Sequence, residues 1–229
     1  MTYENFKLST DDQGNTWVGI DVAGSNVNTL GSPVLDELEA LLNAFDANPP
    51  KAVVFHSLKS SGFIAGANIQ EFEAIGKSND VAAAEKLIKR GYDLYERLAA
   101  VKYPTLALIK GFCMGGGMEL AMACRYRVAV DEPSTRMGLP EVMLGILPAW
   151  GGVKRMPQLI GAPAAFDLML SGKTVDAKKA RMLGLVDEAV PPRIMGNTVT
   201  GLLAAAPAPR GLSFVQNQMT NGFLRSFVA

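Results

Sequence analysis

Lys110 to Cys124, KGFCMGGGMELAMAC, sets three consecutive glycines between an apolar run ending at Ile109 and a stretch of good helix formers. Thr105 to Ile109 reads as a strand, Gly115 to Gly117 as a turn and Met118 to Cys124 as a helix with no internal breaker. Glycines let backbone N–H groups approach a ligand, and a helix N-terminus favours developing negative charge. Glu119 lies on the first turn of that helix, so the segment has the outline of an oxyanion-binding turn carrying an acid. A plainer reading of the same residues is a tight turn followed by an ordinary stabilising helix acid.

Working towards the N-terminus, Tyr103-Pro104 stops a helix that Asp80 can cap, with Leu87, Gly91, Leu94, Tyr95 and Leu98 at helical spacing. Ala52 to Phe55 is a short apolar run suited to a strand buried on both sides. Before it, Ser32 offers an N-cap and Pro33 a first helical residue for a helix whose face is Leu35, Leu38, Leu41, Leu42 and Phe45. Trp17 to Val22 reads as an early strand closed by the turn Ala23-Gly24-Ser25-Asn26. Towards the C-terminus, Tyr126 to Val130 is strand-like. From Gly152 the pattern is mostly helical, broken at Gly161-Ala162-Pro163 and Ser171-Gly172 and by a short strand at Val186 to Val190. Repeated alternation of strand and helix predicts an α/β architecture with crossover connections. Ala204 to Pro209 reads as a linker or loose helix end.

With 229 residues, 22 basic and 22 acidic side chains, the chain suits one sizeable core and shows no bulk attraction for nucleic acid or an anionic membrane. No secretory pattern opens it and no apolar run reaches the ~18 residues of a membrane span, so a cytoplasmic protein without membrane insertion is expected. Cys113 and Cys124 lack partners at metal-ligand spacing and read as packing residues. Gly172 to Thr174 is not a P-loop, because Asp167 stands where its leading glycine is needed, and the triple glycine does not fit a dinucleotide fingerprint.

A second acid, Glu141, follows Pro140 in MGLPEVMLGILPAWGG, Met137 to Gly152. Apolar surroundings raise a carboxyl pKa, as a general acid near neutrality requires; the alternative is a water-exposed helix-start glutamate. In SSGFIAGANIQEF, Ser60 to Phe72, small residues after a buried strand can leave backbone donors free, or can simply form a surface loop. His56 has no nucleophile pattern nearby. Met114, Met118, Met122 and Met143 fit core filling better than an acyl pocket.

Taken together, FIAGANIQEF at 63–72, GFCMGGGMELAMAC at 111–124 and GLPEVMLGILPAWGG at 138–152 resemble the crotonase, or enoyl-CoA hydratase/isomerase, family, over about Asn5 to Pro192. The resemblance implies an α/β fold, a crotonase-like spiral of repeated ββα units with peripheral C-terminal helices. It divides the chain into a catalytic domain at 1–192 and a C-terminal helical or linker segment at 193–229. Its oxyanion hole would be the N–H groups of Ala67 and Gly116, and its catalytic pair Glu119 and Glu141; retaining both acids is the hydratase pattern. Ala65, Gly66, Asn68, Ile69 and Gln70 would contact the CoA moiety. The family usually has Asp where this chain has Asn68, a change that spares the backbone donor of Ala67 and bears on how its loop is held. The helices that commonly cover the acyl chain and build trimers are not recognisable after Pro192.

The text from 138 to 195 is more similar to the hydratase part of the multifunctional fatty-acid oxidation branch of that family than to a stand-alone hydratase. A piece of a longer chain is therefore expected, without the dehydrogenase region. The implied activity is hydration of trans-2-enoyl-CoA in fatty-acid β-oxidation, with no metal and no cofactor because the CoA thioester is itself the substrate. Δ3,Δ2-enoyl-CoA isomerisation and a non-catalytic RNA-binding or scaffold role are the rival readings. The expected partners are an acyl-CoA and either copies of the chain or a fatty-acid oxidation complex, not nucleic acid.

Overall fold

A computed structural model describes residues 2–78 and 80–221. Strands β1 (Phe6–Thr10) and β2 (Thr16–Ile20) form an antiparallel hairpin, followed by α1 (Ser32–Ala47), β3 (Val53–Ser57) and β4 (Gly62–Ile64). Next come α2 (Ile69–Ser78), α3 (Val81–Ala100), β5 (Thr105–Ile109), β6 (Phe112–Met114), α4 (Gly116–Ala123), β7 (Tyr126–Val130) and β8 (Arg136–Gly138). A 3-10 turn at Glu141–Leu144 precedes α5 (Gly152–Ile160), α6 (Ala162–Ser171), α7 (Ala177–Leu183) and β9 (Glu188–Val190). A second 3-10 turn at Pro192–Ile194, α8 (Met195–Ala205) and α9 (Phe214–Asn221) complete the described chain.

The strands are shared between two sheets. The larger runs β1-β2-β3-β5-β7-β9, parallel from β2 onward; the smaller runs β4-β6-β8, also parallel. From β3, β5 and β7 the chain steps each time into the smaller sheet and then into helical turns, so three ββα units wind into a spiral. The apolar runs of the central strands show why they sit inside. Val53 and Phe55, Ala107 and Ile109, and Ala129 face the main core with α1, α3 and α4. Val54, Leu106, Leu108, Tyr126, Val128 and Val130 face a second cluster, covered by Val199 and Leu203 of α8. Side chains alternate across a strand, so burial on both faces favours a largely apolar run; Arg127 of β7 is buried too, its guanidinium met by Asp187 and the carbonyls of Cys124 and Leu185.

Several expected boundaries move. The cap of α1 is Gly31, not Ser32; Ser32 is already helical, and its N–H donates to Glu71 Oε2 at 2.9 Å, so a carboxylate distant in sequence does the capping. Helix α4 begins at Gly116, inside the triple glycine, where packing leaves no room for side chains. The strand expected at Val186 to Val190 is reduced to Glu188–Val190, and the early strand runs Thr16–Ile20. Strand β1 was not foreseen: only Phe6 of its five residues is buried. Asp80 caps α3 through its carboxylate and the Ala83 N–H at 2.9 Å, as the pattern predicts.

Candidate active site

The loop after β4 is held in place by Leu30. The Leu30 N–H donates to Gly66 C=O at 2.9 Å and the Asn68 N–H to Leu30 C=O at 3.0 Å, a parallel bridge centred on Ala67. Such a bridge uses the groups on either side of the central residue, which turns the N–H of Ala67 away from Leu30. The loop's approach is fixed by Asn28, which is buried: its side-chain amide donates to the carbonyls of Ile20 at 3.1 Å and Phe63 at 2.9 Å, while its backbone C=O accepts from Ala65 N–H at 2.8 Å. Asn68 Oδ1 accepts from Gln70 N–H at 3.1 Å, a role an amide oxygen fills without charge. Ala65, Ile69 and Gln70 are exposed, Ala67 and Asn68 half-buried and Gly66 buried.

Gly115 donates its N–H to Gly138 C=O at 3.0 Å and has φ of +52°, a region that penalises a side chain. A Cβ there would lie 3.2 Å from Glu141 Oε1 and 3.6 Å from Gly66 Cα, so Gly66, Gly115 and Glu141 surround one point. At Gly116 a Cβ would be 2.6 Å from Trp150 Cζ3, and at Gly117 2.5 Å from Ile64 Cβ. Tyr95 donates its hydroxyl to Gly116 C=O at 3.0 Å, while the Gly116 N–H, at the first position of α4, has no carbonyl one turn earlier to bond.

Glu119 projects from the first turn of α4 and is 2 % exposed. Its Oε1 accepts two backbone N–H groups, from Trp150 and from Gly152, each at 2.8 Å. Burial pushes its pKa from 4.5 to about 7; the Gly152 donor opposes this, the charge of Glu141 adds to it, and the Trp150 donor and Arg155 oppose it. Glu141, 9 % exposed, opens the 3-10 turn, and burial raises its pKa as well. Its Oε2 is buried and has no hydrogen-bond partner among the described residues. Burial in this position departs from the water-exposed helix-start reading, although Glu141 does begin a helical turn.

Reading the sequence did not single out Asn28, Tyr95, Trp150, Gly152 or Arg155 as parts of the site. Trp150 packs edge-on to Tyr95, with centroids 5.7 Å apart, and against Gly91 and Gly116. The alternatives left open elsewhere also resolve. Met118 and Met122 are core residues, Met143 is exposed, and Cys113 and Cys124 are buried free thiols. His56 packs edge-on to Trp17 at 5.3 Å.

A spiral of ββα units gathers two buried carboxylates beside a glycine turn and the loop after β4, an arrangement that brings acid/base groups next to backbone donors. The chain belongs to the enoyl-CoA hydratase/isomerase family, whose model matches residues 20–219. Among curated relatives, the fatty acid oxidation complex subunit alpha of Vibrio parahaemolyticus is 44% identical over 191 residues, which are 83% of this chain and 27% of that protein. That of Shewanella putrefaciens is 38% identical over 223 residues, 96% of this chain and 31% of the relative. The chain thus spans less than a third of the length of either. Among solved structures, the enoyl-CoA hydratase of Bacillus anthracis superposes with a TM-score of 0.80 at 25% identity, covering 90% of this chain and 78% of that one. That of Thermoplasma volcanium gives 0.78 at 26% identity, over 89% and 78%. The expected crotonase-like spiral is therefore the fold, and no helix among the described residues is long and apolar enough to cross a membrane.

Proposed function

We propose that this site hydrates a trans-2-enoyl-CoA to a 3-hydroxyacyl-CoA, with Ala67 and Gly116 as oxyanion donors. The observation that carries the reading is the pair of buried carboxylates around the glycine turn, one held by two N–H groups and one with an unpartnered buried oxygen. The thioester carbonyl would accept from the N–H groups of Ala67 and Gly116. As water attacks C3, electrons move from the C2=C3 bond towards that oxygen, so the donors bind the enolate-like transition state more strongly than the substrate. Glu119, whose two donors favour its ionised form, takes a proton from the attacking water; Glu141, with none on Oε2, delivers a proton to C2. Proton exchange between the two carboxyls and solvent restores the starting state. Water and the thioester carry all the atoms exchanged, so hydration as proposed uses neither a metal nor a redox cofactor.

The exposed side chains of Ala65, Ile69 and Gln70, with Gly66 and Asn68 beside them, are the proposed contacts for the CoA moiety. By analogy with the relatives, we place the reaction in fatty-acid oxidation, with either a homo-oligomer or a fatty-acid oxidation complex as the assembly. A second reading, Δ3,Δ2-enoyl-CoA isomerisation, is favoured by the free oxygen of Glu141, which one carboxylate can use to lift and return a proton. Loss of crotonyl-CoA hydration by about 10²-fold or more in Glu119→Gln and in Glu141→Gln, at matched folded concentration, is expected for hydration. Turnover that survives both substitutions refutes the assignment, and product analysis with a 3-enoyl-CoA separates the two reactions.

A further inference from the structure

The turn that holds Glu119 is itself held from behind. Arg155, on α5 and buried, donates from Nη1 to Trp150 C=O at 3.0 Å. Its other terminal nitrogen, Nη2, pairs with Glu96 Oε1 of α3 at 2.6 Å, and Lys154 Nζ takes Glu96 Oε2 at 2.8 Å. The guanidinium lies directly against Gly151, where a side chain would collide with Nη1. One three-residue turn is therefore gripped on both sides: Arg155 on its carbonyl, Glu119 on the N–H groups of Trp150 and Gly152.

We propose that Arg155, anchored by Glu96, is a positioning residue for Glu119, acting through the Trp150–Gly152 turn. The inference rests on Glu119 being the base of the reaction proposed above. A planar fork can satisfy the Trp150 carbonyl and the Glu96 carboxylate together, which a lysine ammonium, as a point donor on a flexible stem, does poorly. The arrangement also brings a positive charge behind the carboxylate, in the direction that favours ionisation. Other titratable groups face the same interior: Glu141 from the 3-10 turn, Tyr95 from α3, Cys113 from β6 and Cys124 after α4. Burial drives Tyr95 and Cys113 well up and Cys124 to about 12, so these three stay neutral near pH 7; that leaves Arg155, and Glu141 whenever it is ionised, as the charges acting on Glu119.

The test follows the titration of Glu119 directly, by NMR of the protein carrying 13C-labelled glutamate, with the signal assigned from its loss in Glu119→Gln. In parallel, kcat for crotonyl-CoA is measured against pH. Arg155→Gln is expected to raise the Glu119 midpoint and to carry the acidic limb of kcat upward with it. Arg155→Lys is expected to keep the midpoint near that of the wild type while kcat falls about tenfold at little change in KM, because charge is kept and geometry lost. An unmoved midpoint in Arg155→Gln, or wild-type kcat in Arg155→Lys, overturns the proposal. Failure of both variants to fold also overturns it, since Arg155 is then a purely structural residue. A wild type that titrates as expected but does not hydrate crotonyl-CoA would instead sink the functional reading, since the NMR midpoint needs no turnover.

Discussion

Replacing Glu119 by Gln should make the protein more stable at neutral and alkaline pH. The carboxyl is 2 % exposed, and its pKa rises on folding from 4.5 to about 7. The folded state therefore binds a proton more tightly than the unfolded chain. Stability from this group is complete below about pH 4.5 and is lost as pH climbs through about 7. The difference corresponds to about 3 kcal/mol, as an order of magnitude. Glutamine is nearly isosteric, and its carbonyl oxygen can accept the same two N–H groups that Glu119 Oε1 accepts at 2.8 Å. It carries no charge to desolvate and removes a like-charged neighbour of Glu141. Urea unfolding of wild type and variant across about pH 4.5 to about 8 would measure the effect. The stability of Glu119→Gln relative to wild type should climb by about 3 kcal/mol over that range, with little difference at the acidic end. A difference that stays flat, or falls as pH rises, would refute the claim that burial dominates the surroundings of Glu119.

Other substitutions probe the frame around it. Gly116→Ala places a methyl 2.6 Å from Trp150 Cζ3; a loss of about 1–3 kcal/mol in chemical denaturation and a fall in kcat of at least about tenfold should accompany it. Asn28→Ala strips partners from the carbonyls of Ile20 and Phe63 and from the Val22 N–H, so we expect about 3 kcal/mol of destabilisation and a raised KM for the CoA substrate, from urea curves and steady-state kinetics. Asp80→Ala removes the cap of α3 far along the chain from the glycine turn, and thermal unfolding should show about 1 kcal/mol of lost stability with kcat unchanged.

What could be read from the amino acids depended on how local its cause was. The central strands announced themselves because burial on two faces favours a largely apolar run, and α3 because its cap, its stripe and its stop are all written in or beside it. Strand β1 was silent: an edge strand with one buried residue has no apolar alternation to detect. The cap of α1 misled for a related reason. Ser32 is the conventional local choice, but a carboxylate arriving from Glu71 supplied the acceptor and moved the helix start. Asn28 sits just past a stretch that reads only as a turn, and nothing near it in sequence tells of its bonds to Ser57 and Phe63.

The same division runs through the site, and it changes how the glycine segment is understood. Glu119 and Glu141 stood out because each opens a helical turn beside glycine or proline, whereas the groups that hold Glu119 come from Trp150 and Gly152, about thirty positions away. The tight-turn reading of Gly115 to Gly117 and the ligand-binding reading looked like competitors. In the folded chain they are one requirement. A side chain at Gly116 or Gly117 would push away Trp150 or Ile64, and one at Gly115 would crowd Glu141, so the turn must be bare for the acids to approach at all. Packing of Trp150 between Gly91, Tyr95 and Gly116 then delivers its own N–H to Glu119. A core contact and a positioned carboxylate are consequences of the same missing side chains, which is why a defect introduced in either should appear in both stability and turnover.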